Sequence, residues 1–311
     1  MQSLAQSAVL LRIGTRGSPL ALVQARAVKA RLQAVLGAPD KAIALVVIKT
    51  TGDVIQDRPL NDEGGKGLFT KEIEQALVAG TIDLAVHSAK DMPTVLPQGL
   101  VLAACLERED PRDVFVSRQA KALRELPQGA RLGTASLRRQ AIAKRLRPDL
   151  QVVPLRGNVE TRLRKLEEGQ VDATILALAG LKRLGLNGNA TAIMDAAAFL
   201  PAVGQGAIAI EARADDQRVR DMLSRIDHAD TSTALACERA FLAALDGSCK
   251  TPIAGYAALS GDVLQFRGLI VKPDGSAAHD TSVAGPRASA ATIGADAGRA
   301  LKQYAGPGFF D

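Results

Sequence analysis

Tryptophan is absent from the 311 residues and aromatic side chains make up only 3% of them. Rows of stacked rings, the usual grip on single-stranded nucleic acid, therefore have almost nothing to be built from. Cysteine is nearly as sparse. The three at 105, 237 and 249 are too few and too scattered for a disulfide framework or a zinc cage, and they suit a reducing compartment. No apolar run approaches the ~18 residues of a membrane span, and the opening MQSLAQSAVLLR lacks the basic start and long apolar stretch of an export signal. These absences predict a cytoplasmic protein with no membrane and no metal. What is present is globular: 47% apolar residues, 23% charged, and a length that favours two or three domains over one. The excess of 39 Lys and Arg over 33 Asp and Glu makes anions the expected partners.

Residues 8–14 (AVLLRIG) read as a buried strand, and Ser18 followed by Pro19 marks a helix start running to about Leu36. A second strand, IALVVIKT, leads into the long polar segment TGDVIQDRPLNDEGGKG, a length typical of lids and binding loops, before a helix from about Leu68 to Val78. The unit ends with Gly80, Asp83 and a strand that stops at His87-Ser88-Ala89-Lys90-Asp91. The same order recurs later: LGTAS leads into LRRQAIAKRL, and VETRLRKLEEGQVDATILALAG repeats helix, glycine (Gly169), aspartate (Asp172) and strand. Strands alternating with helices predict two α/β lobes with mainly parallel sheets, whose helix N-termini lie at the carboxyl ends of strands, where anions bind well. From about Asp227 the texture changes to a helix and alternating strands around Pro273-Asp274-Gly275, which predicts a small α+β third domain. The expected domains are 8–106 with 207–224, 112–200, and 228–311. LPAVGQGAIAIEAR reads as a hinge and a strand returning to the first lobe.

Between 131 and 165, ten Lys and Arg face only Asp149 and Glu160. Arg138 and Arg139 fall in the first turn of a helix, where the dipole disfavours cations unless an anion docks beside them. A solvated basic face is the plain alternative. Arg16 with Ser18, and Arg156 with Gly157-Asn158, occupy equivalent strand-to-helix corners, although an arginine there can also cap its own loop. Lys66 in Gly64-Gly65-Lys66-Gly67 lacks the Ser or Thr that a phosphate loop needs, so a lid lysine touching an acidic substrate is the better use. Asp91, in a site that should be positive, can accept hydrogen bonds from a cationic or N–H-bearing reacting centre, or merely cap the turn before Pro93. Cys105 and Cys237 read as core. Cys249, in a Gly-Ser turn beside Lys250, has the setting of an exposed thiolate, open to covalent attachment, and no histidine stands near it in sequence.

The strings RIGTRGSPLAL, GGKGLFTKEIE, DLAVHSAKDMPT, EREDPRDVF, LGTASLRRQ, LRGNVETRLRKL, LAGLKRLGL and LPAVGQGA, together with the Cys249 loop, occur in one order. By them the chain resembles the hydroxymethylbilane synthase, or porphobilinogen deaminase, family. The resemblance implies a monomeric enzyme of tetrapyrrole biosynthesis that condenses four porphobilinogen molecules head to tail with release of ammonia. It implies two lobes like periplasmic solute-binding proteins and a third domain, and a dipyrromethane cofactor held by a thioether to Cys249. It also implies Asp91 as the catalytic residue, holding pyrrole N–H groups and stabilising the cation left by ammonia. Lys66, Asp91, Ser136, Arg138 and Arg139 would hold the cofactor, and Arg16, Ser18, Arg156, Arg162 and, from the hinge side, Gln205 would hold substrate. Two positions depart from the family pattern: Asp62, where some members carry a second lysine, and Ala135, where a second serine often stands.

Two other readings compete. A bilobal solute-binding or sensing protein would bind anions reversibly and have no use for Cys249. A nucleic-acid binder would rest on the basic balance alone, and arginines scattered at helix starts suit small carboxylates better than a continuous phosphate track.

Overall fold

Apolar strands assemble into three sheets, and helices pack on them. The computed structural model describes residues 9–54, 67–247 and 251–310. In chain order its strands and α-helices are β1 (Leu11–Thr15), α1 (Pro19–Leu36), β2 (Ile43–Val47), α2 (Thr51–Val54), α3 (Lys71–Val78), β3 (Leu84–Ser88), β4 (Leu100–Cys105), β5 (Asp113–Ser117), β6 (Arg131–Gly133), α4 (Leu137–Leu146), β7 (Gln151–Val153), α5 (Val159–Glu167), β8 (Ala173–Ala177), α6 (Leu178–Arg183), β9 (Ala192–Ile193), β10 (Ile208–Arg213), α7 (Gln217–Ser224), α8 (Ala229–Ala244), β11 (Ile253–Ser260), β12 (Val263–Val271), β13 (Ala278–Pro286) and α9 (Ala290–Ala305). The chain divides into two compact units. One takes the described residues up to Glu107 with Ile208–Ala229; the other takes Arg108–Ala207 and the described residues from Asp230 on.

In the first unit the sheet order is β2-β1-β3-β10-β4. β1 runs parallel to β2 and β3, whereas β10 is antiparallel to β3 and β4. Its core lies on both faces. Leu11, Ile13, Leu84, Val86 and Ile210 pack with Val28 and Leu32 of α1 and Val219 and Leu223 of α7. Ala85 faces Ile73 and Leu77 of α3. Each such leucine or isoleucine contributes roughly 1.5–3 kcal/mol by burial.

The second unit repeats the design with the order β7-β6-β8-β5-β9, where β6 is parallel to β7 and β8, and β5 is antiparallel to β8 and β9. Both sheets are thus mainly parallel with one reversed strand in the fourth place. The repeat extends to single side chains. Arg12 is the second residue of β1, and its backbone N–H and guanidinium bind Asp83 while Nη2 donates to the Gly80 carbonyl at 2.7 Å. Arg131 opens β6 and does the same to Asp172, with Nη2 on the Gly169 carbonyl at 2.9 Å. Gly80 and Gly169 end the preceding turns at φ 70° and 71°, a left-handed conformation that favours glycine.

The third sheet, β11-β12-β13, is antiparallel. One face receives Phe241 of α8 over Gly255 and Gly268, and at Gly268 a larger residue would collide with the ring. α9 lies close to α8, since a Cβ at Gly294 would run into the Cys237 carbonyl. The other face shares a core with the second sheet, with Ala254 and Val271 packed among Phe115, Ile142 and Phe199. That shared core is why the second and third sheets form one compact unit.

Candidate active site

The first unit brings three of the expected residues to one pocket. After β1 the chain turns through Arg16 and Gly17 to Ser18, whose extended backbone and hydroxyl cap α1 by accepting the Ala21 N–H, with Pro19 at the first helical position. After β3 a single 3-10 turn, Ala89–Asp91, carries the chain round to Asp91. Arg16, Ser18, Gln24, His87, Ser88 and Asp91 line the pocket between these two corners. The Arg16 guanidinium lies 4.2 Å from the Phe69 ring centroid, a cation–π contact that holds the charge in place. Gln24 and Ser88 exchange hydrogen bonds at 2.9 and 3.1 Å and tie α1 to the end of β3. The pocket therefore offers a fixed cation, hydroxyls and one carboxylate.

In the second unit, Ser136 caps α4 as Ser18 caps α1, with its hydroxyl accepting the Arg139 N–H. The anion that Arg138 and Arg139 call for turns out to be internal. Asp113, the fully buried first residue of β5, takes Arg138 Nη2 at 2.7 Å and Arg139 Nη2 at 2.8 Å. Gln205 Nε2 donates to the same carboxylate at 3.0 Å and to the Pro111 carbonyl at 2.7 Å. Burial alone would raise the Asp113 pKa; the two guanidiniums overcome it and hold the group at about 2. Two cations on one carboxylate leave a single net positive charge. Arg138 also donates to the Leu200 carbonyl, while its Nε is buried without a partner among the described residues. Gln205 is likewise buried, between Gly204 and Gly206, whose φ values are 71° and 90°.

Arg156 stands half-buried at the corner between β7 and α5, where Asn158 caps the helix. Arg162 Nε donates to the Gly157 carbonyl at 2.9 Å, which is the loop-capping use open to an arginine at such a corner. Lys66, Asp62 and Cys249 lie outside the described residues. Cys105 and Cys237 are buried, and desolvation, with Glu238 beside it, pushes the Cys237 thiol up to about 12, far from a reactive thiolate. Ala135 is exposed in the turn before α4.

Asp113 is the residue that sequence reasoning missed. Its only local signal is a charged residue opening an otherwise apolar strand, DVFVS, which requires a buried partner without naming it. A larger hollow, about 520 Å³, opens near Ser117, Arg118 and Glu167. It sits toward the start of β8, where Ser117 pairs with Ala173, and none of the expected site residues lines it.

Comparison with known proteins shows the family of the chain. The model of the porphobilinogen deaminase dipyromethane cofactor binding domain matches residues 11–221, and that of the porphobilinogen deaminase C-terminal domain matches residues 232–303. The chain belongs to the porphobilinogen deaminase family. It is 58% identical over 310 residues to a porphobilinogen deaminase of Nitrobacter winogradskyi, covering 100% of this chain and 98% of that protein. It is 57% identical over the same length to one of Nitrobacter hamburgensis, with the same coverage. Among solved structures, a nutrient binding protein from Burkholderia cenocepacia bound to methionine aligns with TM-score 0.44 and 17% identity, over 69% of this chain and 90% of that one. Membership of the porphobilinogen deaminase family rests on the first two findings.

Proposed function

We propose that the pocket at the end of β3 is where porphobilinogen is condensed, with Asp91 as the catalytic residue. The activity is that of the porphobilinogen deaminase family: porphobilinogen molecules are joined into hydroxymethylbilane with loss of ammonia, on a dipyrromethane cofactor. The observation that carries the residue assignment is the convergence of Arg16, Ser18 and Asp91 on one pocket from two separate strand ends. Asp91 accepts pyrrole N–H hydrogen bonds and faces the positive charge that develops at the methylene carbon as ammonia departs. A preformed carboxylate there stabilises the charged state more than the neutral one, which is what accelerates a reaction. Arg16 and Ser18 take an acetate or propionate of the incoming molecule.

The residues fit the cofactor. Its carboxylates require cations and hydroxyl donors, and its ring nitrogens require an acceptor; Asp91 supplies the acceptor in the first unit, beside the Arg16 and Ser18 that take the substrate. In the second, Ser136 and the Arg138–Arg139 pair, left with one net positive charge and a buried Nε without a partner among the described residues, receive further carboxylates. When bound, the cofactor supplies the free pyrrole end from which the chain grows. Cys249 as its attachment point rests on the sequence motif, as does Lys66 as a lid contact. Arg156, Arg162 and Gln205 complete the set, Gln205 by holding Asp113 in place. No helix among the described residues is long and apolar enough to cross a membrane. We read the protein as a cytoplasmic monomer acting on a small molecule without nucleic acid, in three domains each built on one sheet.

The test is ammonia release from porphobilinogen by Asp91→Ala. Loss of one preorganised charge-stabilising group lowers kcat by about 10²–10³-fold. Asp91→Asn, which keeps an acceptor oxygen but not the charge, falls between. Near-normal kcat in Asp91→Ala would overturn the assignment.

A further inference from the structure

Behind this pocket lies a group of titratable side chains that binding of substrate does not account for. Ala85 and His87 of β3 stand opposite Glu211 and Ala209 of β10, so all four side chains project from the same face. The two alanines leave room for the imidazole and the carboxylate. α3 covers that face and contributes Glu74. Glu211 is fully buried, His87 is 5% exposed and Glu74 is 8% exposed. His87 Nε2 and Glu211 Oε2 are 3.3 Å apart, within ion-pair reach but not aligned as a hydrogen bond. Both oxygens of Glu211, Oε1 of Glu74 and Nε2 of His87 have no hydrogen-bond partner among the described residues.

Two ionised carboxylates cannot share such a place cheaply, because each loses its hydration and they repel one another. A proton kept on one of them removes a charge. It also adds an O–H donor to a group otherwise rich in acceptors. We propose that Glu74, His87 and Glu211 form a buried proton-holding cluster that positions the Asp91 turn for condensation, with Glu74 as the carboxyl that keeps its proton. The proposal rests on the reading of Asp91 as the catalytic residue. Burial, and then the charge of Glu211, moves the Glu74 carboxyl above its usual range, while the Thr70 hydroxyl and His87 act in the opposite sense.

Arg213 of β10 shares the face of Glu211, but its guanidinium is taken up by the Leu77 and Ile82 carbonyls and by Asp216. α3 brings Glu72, of the same sign; β4 sets Leu102 against Glu211; β1 sets Gly14 against Ala85; and the turn after β3 carries Lys90 and Asp91. His87, Ser88 and Asp91 all line the same pocket, so a charge forced into the cluster unseats the strand end that carries Asp91. These are positioning residues, since they act through β3.

The experiment uses purified, cofactor-loaded protein: wild type, Glu74→Gln, which mimics the protonated carboxyl, and Glu74→Ala. Thermal midpoints without substrate and kcat/KM for porphobilinogen are measured from about pH 5 to about pH 9. The fold holds a proton that the unfolded chain has already released, so wild-type stability falls as pH rises through the Glu74 pKa. Glu74→Gln lacks that fall. Wild-type kcat/KM drops about tenfold per pH unit above the same midpoint. Glu74→Gln extends the plateau, and Glu74→Ala is low throughout. Parallel stability curves for wild type and Glu74→Gln would overturn proton holding. Divergent stability curves with superimposable kcat/KM profiles would overturn the positioning role. Normal turnover by Asp91→Ala would instead remove the underlying site reading.

Discussion

Three carboxylates show how environment separates residues of one chemical type. Asp91, half-buried at a pocket wall, is available to a ligand, whereas Asp113 is fully buried under Arg138, Arg139 and Gln205 and is structural. Glu74 is buried without such cations. Removing Asp113 leaves two guanidiniums facing each other without a counter-charge. Asp113→Ala is therefore expected to cost about 3–5 kcal/mol of stability. It also loosens the arginines proposed to hold the cofactor, and a thermal melt beside a cofactor mass measurement reads both effects. The pH dependence follows from its depressed pKa. Asp113 contributes fully above the unfolded carboxyl value of roughly 3.9, and the contribution is lost as pH falls from there through about 2. Wild type should lose stability over that window, and Asp113→Ala should show a shallower acid loss. The place of Asp91 at a strand end and of the two arginines at a helix start was legible, because those positions carry local meaning, but the internal anion that the arginines meet was not. Asp113 and Glu211 were not, because their partners are distant in sequence and apolar strands do not reveal which side chains face each other across a sheet.

At the scale of elements, the chain uses one strand–helix–strand unit twice and closes it the same way each time. An arginine stands first or second in the first strand, aspartate precedes the strand beside it, and a left-handed glycine ends the intervening turn. The Asp83 side chain is 9% exposed and also lies 3.9 Å from Arg213, while that of Asp172 is 18% exposed. Asp83→Ala should thus destabilise more than Asp172→Ala, about 2–3 kcal/mol against about 1–2 kcal/mol, since charged hydrogen bonds contribute more when screened less. Equal shifts in thermal midpoint would show that the two clamps are energetically interchangeable. The repeat of helix, glycine, aspartate and strand was visible in the sequence, as were the Ser18 and Ser136 caps. The reversed direction of β5 and β10 was not, because hydrophobic patterning carries no sign for strand direction. The helix expected from Leu68 begins at Lys71, after a turn that carries Phe69 to Arg16.

At the scale of the molecule, the third sheet is used on both faces. Helices α8 and α9 cover one and the second sheet packs on the other. The sequence suggested a third domain from its change of texture, but the shared core needed coordinates, since Ala254 and Val271 look like ordinary strand residues. The function was the most legible feature, because eight motifs in one order identify a family more firmly than any single site does. The central claim joins Asp91 and Cys249 in one polymerising enzyme, and intact mass spectrometry of denatured protein tests it most directly. Wild type, Asp91→Ala and Cys249→Ala are weighed before and after brief exposure to porphobilinogen. The expected result is a two-pyrrole excess in wild type and Asp91→Ala and none in Cys249→Ala, followed by stepwise one-pyrrole additions in wild type alone. A bare-chain mass for wild type after exposure, or equal additions in Asp91→Ala, would contradict it.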